Sequence, residues 1–421
     1  MTARLLPLLA LALAACGDAL GGTADIVAYG RVWTGDSAAP WAQAVATRDG
    51  KLMFVGDSAG AASHVGQRTQ VLHGAFIAPG FGDAHVHFLS GGQQLTSVDL
   101  RPAKSKEEFV RRMREFAKTR KKGEWILGGD WDHESWPGTP LPERDWIDSV
   151  TPDNPVFVSR LDGHMALANS LALRLAGISA ETRDMPGGTI VRDLAGAPTG
   201  VLKDAAMDPV YGVVPEPSPE QADSALALAM RWVASKGITE VHTVSAGFSE
   251  LAGLRRAHAA GRLTVRVSAY PPLDAWRQVA ESVAVWGPGD DVLRIAGVKG
   301  YVDGSLGSTT ALMDQPYLDE PGSAGLFVTA RDSLAKWIGA ADSAGLHVVV
   351  HAIGDRANRE LLDIYDSVAT AHGARDRRFR VEHAQHLRAP DIARFARLGV
   401  IPSMQPYHVI DDGRWAWKRI K

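Results

Sequence analysis

A single cysteine, Cys16, in 421 residues excludes an intrachain disulfide and any cluster of thiolates as a metal site. No apolar run approaches the roughly twenty residues that cross a bilayer as a helix. Charge is not in surplus either. Lys and Arg number 45 against 48 Asp and Glu, a net −3, so neither half advertises a nucleic-acid surface. Basic runs such as Arg120-Lys121-Lys122 read as solvated helix faces and ends. No glycine-rich phosphate loop follows the first strand, which weakens a nucleotide-binding reading. What remains is ordinary globular material, 45% hydrophobic and 22% charged, enough for one large α/β domain with an appendage or two or three small domains.

The beginning carries its own pattern. Arg4 precedes an apolar stretch from Leu5 to Ala15, of signal-peptide length, which runs into Leu13-Ala14-Ala15-Cys16-Gly17. Small residues before a lone cysteine resemble the lipobox of bacterial lipoproteins. That resemblance implies a signal over residues 1–15, a lipid on Cys16, and export to the periplasm or cell envelope, the membrane being met only through that anchor. An ordinary free cysteine or a cut elsewhere is the alternative.

Residues 24–76 show short apolar runs parted by turn signals, among them Asp49-Gly50, a hairpin signal. This reads as one part of a small β domain, too thin to hold a core alone. From residue 77 to 421 strands and helices alternate. The strand candidates begin at Phe76-Ile77-Ala78 and continue at 239–243, 264–268, 295–299, 347–350, 379–382 and 400–404, seven in all. Ser218-Pro219-Glu220-Gln221 has the composition of a capping box opening a helix that stops at Gly237. Leu334 to Ala341 marks a second helix and Pro390 to Gly399 a third. The alternation predicts an α/β fold with a parallel sheet, best fitted by a TIM-like (βα) barrel and less well by a doubly wound sheet. Residues from about 99 to 217 interrupt it and read as an insertion over the barrel mouth.

The sharpest chemical signal is Asp83-Ala84-His85-Val86-His87, bounded by glycines. Residues i and i+2 of a strand point the same way, so both imidazoles can hold one metal ion. His351 follows Val348-Val349-Val350, with Asp355 placed to cap the next helix. His383 follows Val381-Glu382. Each alone reads as a core histidine, but two on successive strands beside a His-x-His do not. Lys299 ends an apolar strand, where a lysine is costly unless paired or neutral. A neutral amine can take up carbon dioxide as an anionic carbamate suited to bridging two ions. Snorkelling to solvent, or pairing with Asp303, is the plainer alternative. His133 and His242, near other strand ends, read as structural.

In this order and context the residues resemble the amidohydrolase superfamily. Pro79-Gly80-Phe81-Gly82-Asp83-Ala84-His85, Asp303-Gly304-Ser305-Leu306-Gly307, His351-Ala352-Ile353-Gly354-Asp355 and Asp162-Gly163-His164 with Asn169-Ser170 bring it closer. They are similar to amidohydrolase family 3 and its N-substituted formamide deformylase-like branch. The resemblance implies two divalent ions, zinc by expectation, with His85 and His87 on one, His351 and His383 on the other, and carbamylated Lys299 between them. It implies a metal-held hydroxide attacking a small amide-type substrate at a carbon–nitrogen bond other than a peptide bond, with His164 touching substrate or the developing oxyanion.

One position departs from the family pattern. Relatives carry an aspartate on strand eight, and Asp411 and Asp412 follow the seventh strand too soon to be it. The end, Trp415-Ala416-Trp417-Lys418-Arg419-Ile420-Lys421, reads as a cut through a helix, so the barrel and the composite β domain are expected to lack a C-terminal part. A non-catalytic metal- or ligand-binding lipoprotein, or a lactone or ester hydrolase on the same fold, are the alternatives.

Overall fold

Strands β1 (Ile26–Trp33), β2 (Trp41–Arg48), β3 (Lys51–Gly56) and β4 (Gln70–Ile77) make one sheet in the order β3-β2-β1-β4. The β1–β2 and β2–β3 pairs are antiparallel and β1–β4 is parallel. Asp49 and Gly50 both take positive φ, 50° and 73°, the geometry a two-residue turn between right-twisted strands requires. The core under this sheet is small, built on Ala24, Val27, Ala44, Ala46 and Ala61. The computed structural model describes residues 22–421, so the signal segment and Cys16 lie outside the described residues. Among those described, no helix is long and apolar enough to cross a membrane. The first compact unit ends at Phe81, and Gly82–Lys421 form the second.

Phe76-Ile77 therefore closes the first unit's sheet instead of opening a barrel. Pro79-Gly80 breaks the chain after it, and the His-x-His motif has a strand of its own, β5 (Phe81–Val86). The stretch from 99 to 217 is also more ordered than a set of mouth loops. It contributes β6 (Val98–Asp99), β7 (Gly128–Trp131), β8 (Phe157–Arg160), β9 (Met165–Ala168), β10 (Gly188–Arg192) and β11 (Pro198–Asp204). These form a six-stranded sheet, β10-β11-β9-β8-β7-β6, mixed in direction. It has apolar clusters on both sides, one around Phe109, Trp131 and Trp136 and the other around Phe157, Leu173 and Leu202.

The remaining strands follow chain order: β12 (Ile238–Val244), β13 (Arg266–Tyr270), β14 (Leu293–Ile295), β15 (Val298–Tyr301), β16 (Val348–Ala352), β17 (Arg380–His383) and β18 (Ile401–Ser403). They lie in two sheets, β5-β12-β13-β14 and β15-β16-β17-β18. Residues 295–299, expected as one strand, are broken at Ala296-Gly297, where a Cβ on Gly297 would meet the His347 carbonyl at 2.2 Å. The ladder continues across the break, since Ala296 N–H donates to Ala269 O and Lys299 N–H to Pro271 O, each at 2.8 Å. The two sheets are thus one strand succession of an α/β (βα) barrel, with β5 and β18 at its ends.

Helices between the strands carry the expected punctuation. Pro219–Ser235 opens on a capping box between Ser218 and Gln221. Ala389–Leu398 ends at left-handed Gly399. Helix Asp355–His372 is capped by Gly354, not by Asp355, whose carboxylate accepts the Asp314 and Arg356 N–H groups instead. The chain's end is not a continuous helix either. Short turns bury Trp415, and Arg419 donates to the Leu306 and Gly307 carbonyls at 2.7 and 2.9 Å.

Leu361, fully buried between Asp355–His372 and the strands, tests this core. Leu361→Ala is expected to destabilise the protein by about 2–5 kcal/mol, read as a fall in the urea midpoint. An unchanged midpoint would contradict the packing described.

Candidate active site

The strand succession brings His85, His87, Lys299, His351 and His383 to the floor of one cavity of about 950 Å³, which His164 also lines. His133 is buried against Arg160 and His242 accepts a hydrogen bond from Arg380; both lie off the cavity lining. Ring centroids are 5.8 Å apart for His85 and His87, 4.6 Å for His85 and His383, 4.6 Å for His351 and His383, and 4.8 Å for His164 and His351.

Register explains part of this convergence. Tyr301 pairs with His351 and His351 with Glu382 across β15, β16 and β17, so these side chains share a face, as does Lys299 two residues before Tyr301. His383 follows Glu382 directly, so period two would send it to the opposite face. Positive φ at His383 (70°) and Ala384 (43°) turns the strand end and brings its ring back to the cavity. Two successive left-handed residues without glycine cost about 1–3 kcal/mol each, strain typical of functional sites.

Second partners fix the rings. His85 donates from Nδ1 to Glu382 at 2.5 Å, His383 from Nδ1 to Gln405 at 2.8 Å, and His351 from Nε2 to the Gly304 carbonyl at 2.9 Å. Each ring keeps one nitrogen with its lone pair. Burial lowers the pKa of all four floor histidines, His87 to about 3 with the Lys299 charge adding to the effect. They are therefore neutral at pH 7.

Lys299 is buried, so it neither snorkels nor pairs with Asp303. Its Nζ sits 3.8 Å from the centre of the Tyr301 ring. Tyr301 meets Ser245 at 2.6 Å. Asp303 instead accepts backbone N–H groups from Leu312, Ile353 and Gly354, and burial pushes its carboxyl up to about 7 against those donors. Among the described residues, no three His, Cys, Asp or Glu side chains already stand at ligating positions for one ion. The imidazoles meet edge to face or tilted, at interplanar angles of 76°, 53° and 70° for His85–His87, His85–His383 and His351–His383.

Sequence reasoning missed the residues that hold this floor. Glu382 is fully buried between His85 and Arg380, which bonds it directly. Burial alone would raise its carboxyl, but His85 and Arg380 outweigh that and hold it low. Arg380 reaches on to His242 Nδ1 at 3.1 Å and the Ala84 carbonyl at 3.3 Å. The signal was present as Arg380-Val381-Glu382, two opposite charges at period two in an apolar strand. Asp204, at the end of β11, was also missed. It takes the His164 Nδ1–H at 2.7 Å, and although burial opposes charge on His164, Asp204 raises its pKa.

A profile of the amidohydrolase family, family 3, matches residues 69–421. The chain belongs to this amidohydrolase family. On that ground it is a hydrolase. It is 40% identical to Protein LONG AFTER FAR-RED 3 of Arabidopsis thaliana, over 94% of this chain and 70% of that one. It is 32% identical to YtcJ of Bacillus subtilis, over 83% of this chain and 66% of that one. The N-substituted formamide deformylase of Arthrobacter pascens is more distant, 28% identical over 88% of this chain and 70% of that one, so that branch is not singled out. Among solved structures, a metal-dependent hydrolase of Pyrococcus horikoshii superposes with a TM-score of 0.70 at 29% identity, covering 94% of this chain and 77% of that one.

Removing one partner of a buried ion pair leaves the other charge stranded. Glu382→Ala is expected to cost about 3–5 kcal/mol in urea unfolding, and Arg380→Met with Glu382→Leu together less than that. A small loss for the single change would show that Arg380 does not depend on Glu382.

Proposed function

We propose that this chain is a metal-dependent hydrolase of amide-type carbon–nitrogen bonds, with two divalent ions held by His85, His87, His351 and His383 and with Lys299 between them. The observation that carries the reading is the convergence of four neutral imidazoles and one buried lysine on one cavity floor. The donor set fits such ions. Imidazole nitrogen suits zinc and similar metals, and ligating histidines have their other nitrogen held by a carboxylate, carbonyl or amide, as Glu382, Gly304 and Gln405 do here. Lys299 has no carboxylate partner among the described residues, which makes it the side chain suited to carry a carbamate.

When bound, the ions supply positive charge that polarises a carbonyl and makes water nucleophilic at neutral pH. The protein's own groups do the rest. Glu382 and Gln405 keep the proton of their histidines on Nδ1, so the Nε2 lone pairs stay turned to the floor. His164 stands beside His351 with Nδ1–H on Asp204, which favours the protonated ring, and in that form its Nε2–H can donate to a substrate carbonyl oxygen. Tyr301 and Ser245 hold the wall next to Lys299. Small N-substituted formamides are the first substrate class to try, on the likeness to the Arthrobacter enzyme.

The purified protein is expected to contain divalent metal by elemental analysis. Chelation should abolish turnover of an N-alkylformamide and wider amide panel, and added zinc should restore it. Turnover that survives complete metal removal would sink the proposal, as would hydrolysis of lactones or esters alone for its amide part. Glu382→Gln, which weakens the support behind His85, is expected to lower metal affinity about 10–100-fold in competition with a chromophoric chelator.

A further inference from the structure

We propose that Asp204 is a positioning residue of this site. It holds the His164 ring by Nδ1 and thereby presents Nε2 to the cavity floor. The inference rests on the hydrolytic reading of the cavity and adds to it a residue on a different sheet.

Three independent features point to Asp204. The first is a two-point clamp. Asp204 N–H donates to the His164 carbonyl at 3.1 Å, while Asp204 Oδ1 accepts the His164 Nδ1–H at 2.7 Å. Backbone and side chain of one residue are thus both fixed by another, forty positions later. His164 is held from the other side as well, its N–H donating to Asp162, which Arg160 pairs at 2.5 Å.

The second feature is the backbone. Asp204 sits at φ 48°, ψ −126°, a conformation that glycine adopts far more readily. The third is the other carboxylate oxygen. Asp204 Oδ2 is buried and has no hydrogen-bond partner. Strain and an orphaned oxygen both work against the fold, and a residue kept only for stability would carry neither. Both are explained if the carboxylate is placed for what it does to His164.

The placement also reaches the floor. A Cβ on Gly304 would meet Thr310 Oγ1 at 1.9 Å and Asp204 Oδ2 at 2.8 Å, so both side chains close on this glycine. The same Gly304 takes the His351 Nε2–H on its carbonyl at 2.9 Å. One glycine thus sets the spacing between the Asp204–His164 pair and a floor histidine. The alternative is that Asp204 simply pins β11 to β9, which pair up to Lys203 and Met165.

The test uses the full, metal-loaded chain carrying Asp204→Asn, His164→Ala, or Asp204→Ala with and without His164→Ala. Asparagine keeps the size and the backbone preferences of aspartate, so Asp204→Asn adds no backbone strain that the wild type does not already carry. Positioning predicts that Asp204→Asn lowers kcat roughly 10²-fold on the amide panel with little change in KM. It also predicts that Asp204→Ala adds nothing further once His164 is alanine. Equal losses from Asp204→Ala in both backgrounds, or an unchanged kcat in Asp204→Asn, would overturn the proposal. Nitrogen-15 NMR of labelled histidines, with His164→Ala assigning the signal, gives a readout apart from activity. The Nδ1–H signature of His164 should change in Asp204→Asn. If the wild-type chain turns over nothing on the panel, the hydrolytic reading fails by itself. The NMR comparison then decides the positioning claim, an identical His164 signature in both proteins overturning it and a changed one supporting it.

Discussion

Glu382 is a carboxylate with no exposed surface, and burial at that depth is tolerated only because Arg380 and His85 meet both of its oxygens. The consequences spread across the strand succession. Arg380, on β17, stacks over Tyr270 of β13 at 5.0 Å, donates to His242 of β12 and reaches the carbonyl of Ala84 on β5. One guanidinium therefore braces four strands from inside, where apolar side chains would otherwise have to fill the space. The brace also sets the chemistry. With the negative charge held by Arg380, His85 donates one proton and keeps its other nitrogen bare. Had a side chain without an acceptor stood at 382, that hydrogen bond would no longer fix which nitrogen of His85 carries the proton.

Strain gathers around the same cavity. Asp130, Asp204, Ser245 and His383 all line it, and all take positive φ without being glycine. Such conformations persist where the surroundings over-determine them. For His383 and Ser245 those surroundings are the apolar clusters behind β15, β16 and β17 and behind β12 and β13, and for Asp130 and Asp204 the two clusters of the mixed sheet. The cores lie outside the strands and the polar groups inside, so packing and chemistry occupy opposite faces of one layer.

How much of this could be read beforehand depends on range. His85, His87, Lys299 and His351 were legible because each sits at or near a strand end, where a few neighbouring residues define both the strand and the direction of the side chain. His383 was found for the same reason, although period two alone would have turned it away, since its backbone is set by tertiary context. Glu382 was passed over because its meaning lies in partners that are remote in sequence, His85 being 297 residues away. Asp204 was hidden by the weak pattern of its surroundings. The stretch containing it reads as an insertion over the barrel mouth because its strands are short and parted by Gly and Pro turns, and pairing in a six-stranded sheet gives it two cores. Phe76 misled through composition, since an apolar run before Pro79-Gly80 suits either the end of one sheet or the start of another.

The division between floor and wall bears on specificity. The floor comes from β5, β15, β16 and β17, whereas much of the wall, from Ser159 to His164 and from Asp204 to Tyr211, comes from the mixed sheet and the segment after it. Changes in the mixed sheet can therefore reshape the wall without moving the floor groups, the separation that lets one barrel chemistry serve many substrates. At about 950 Å³ the cavity lies near the upper end of small-molecule sites, which run to about 1,000 Å³. A minimal formamide would fill only part of that volume. His164, of the wall, stands 4.8 Å from His351 of the floor, ring centre to ring centre, so a change that shifts the mixed sheet at that point also reaches the floor.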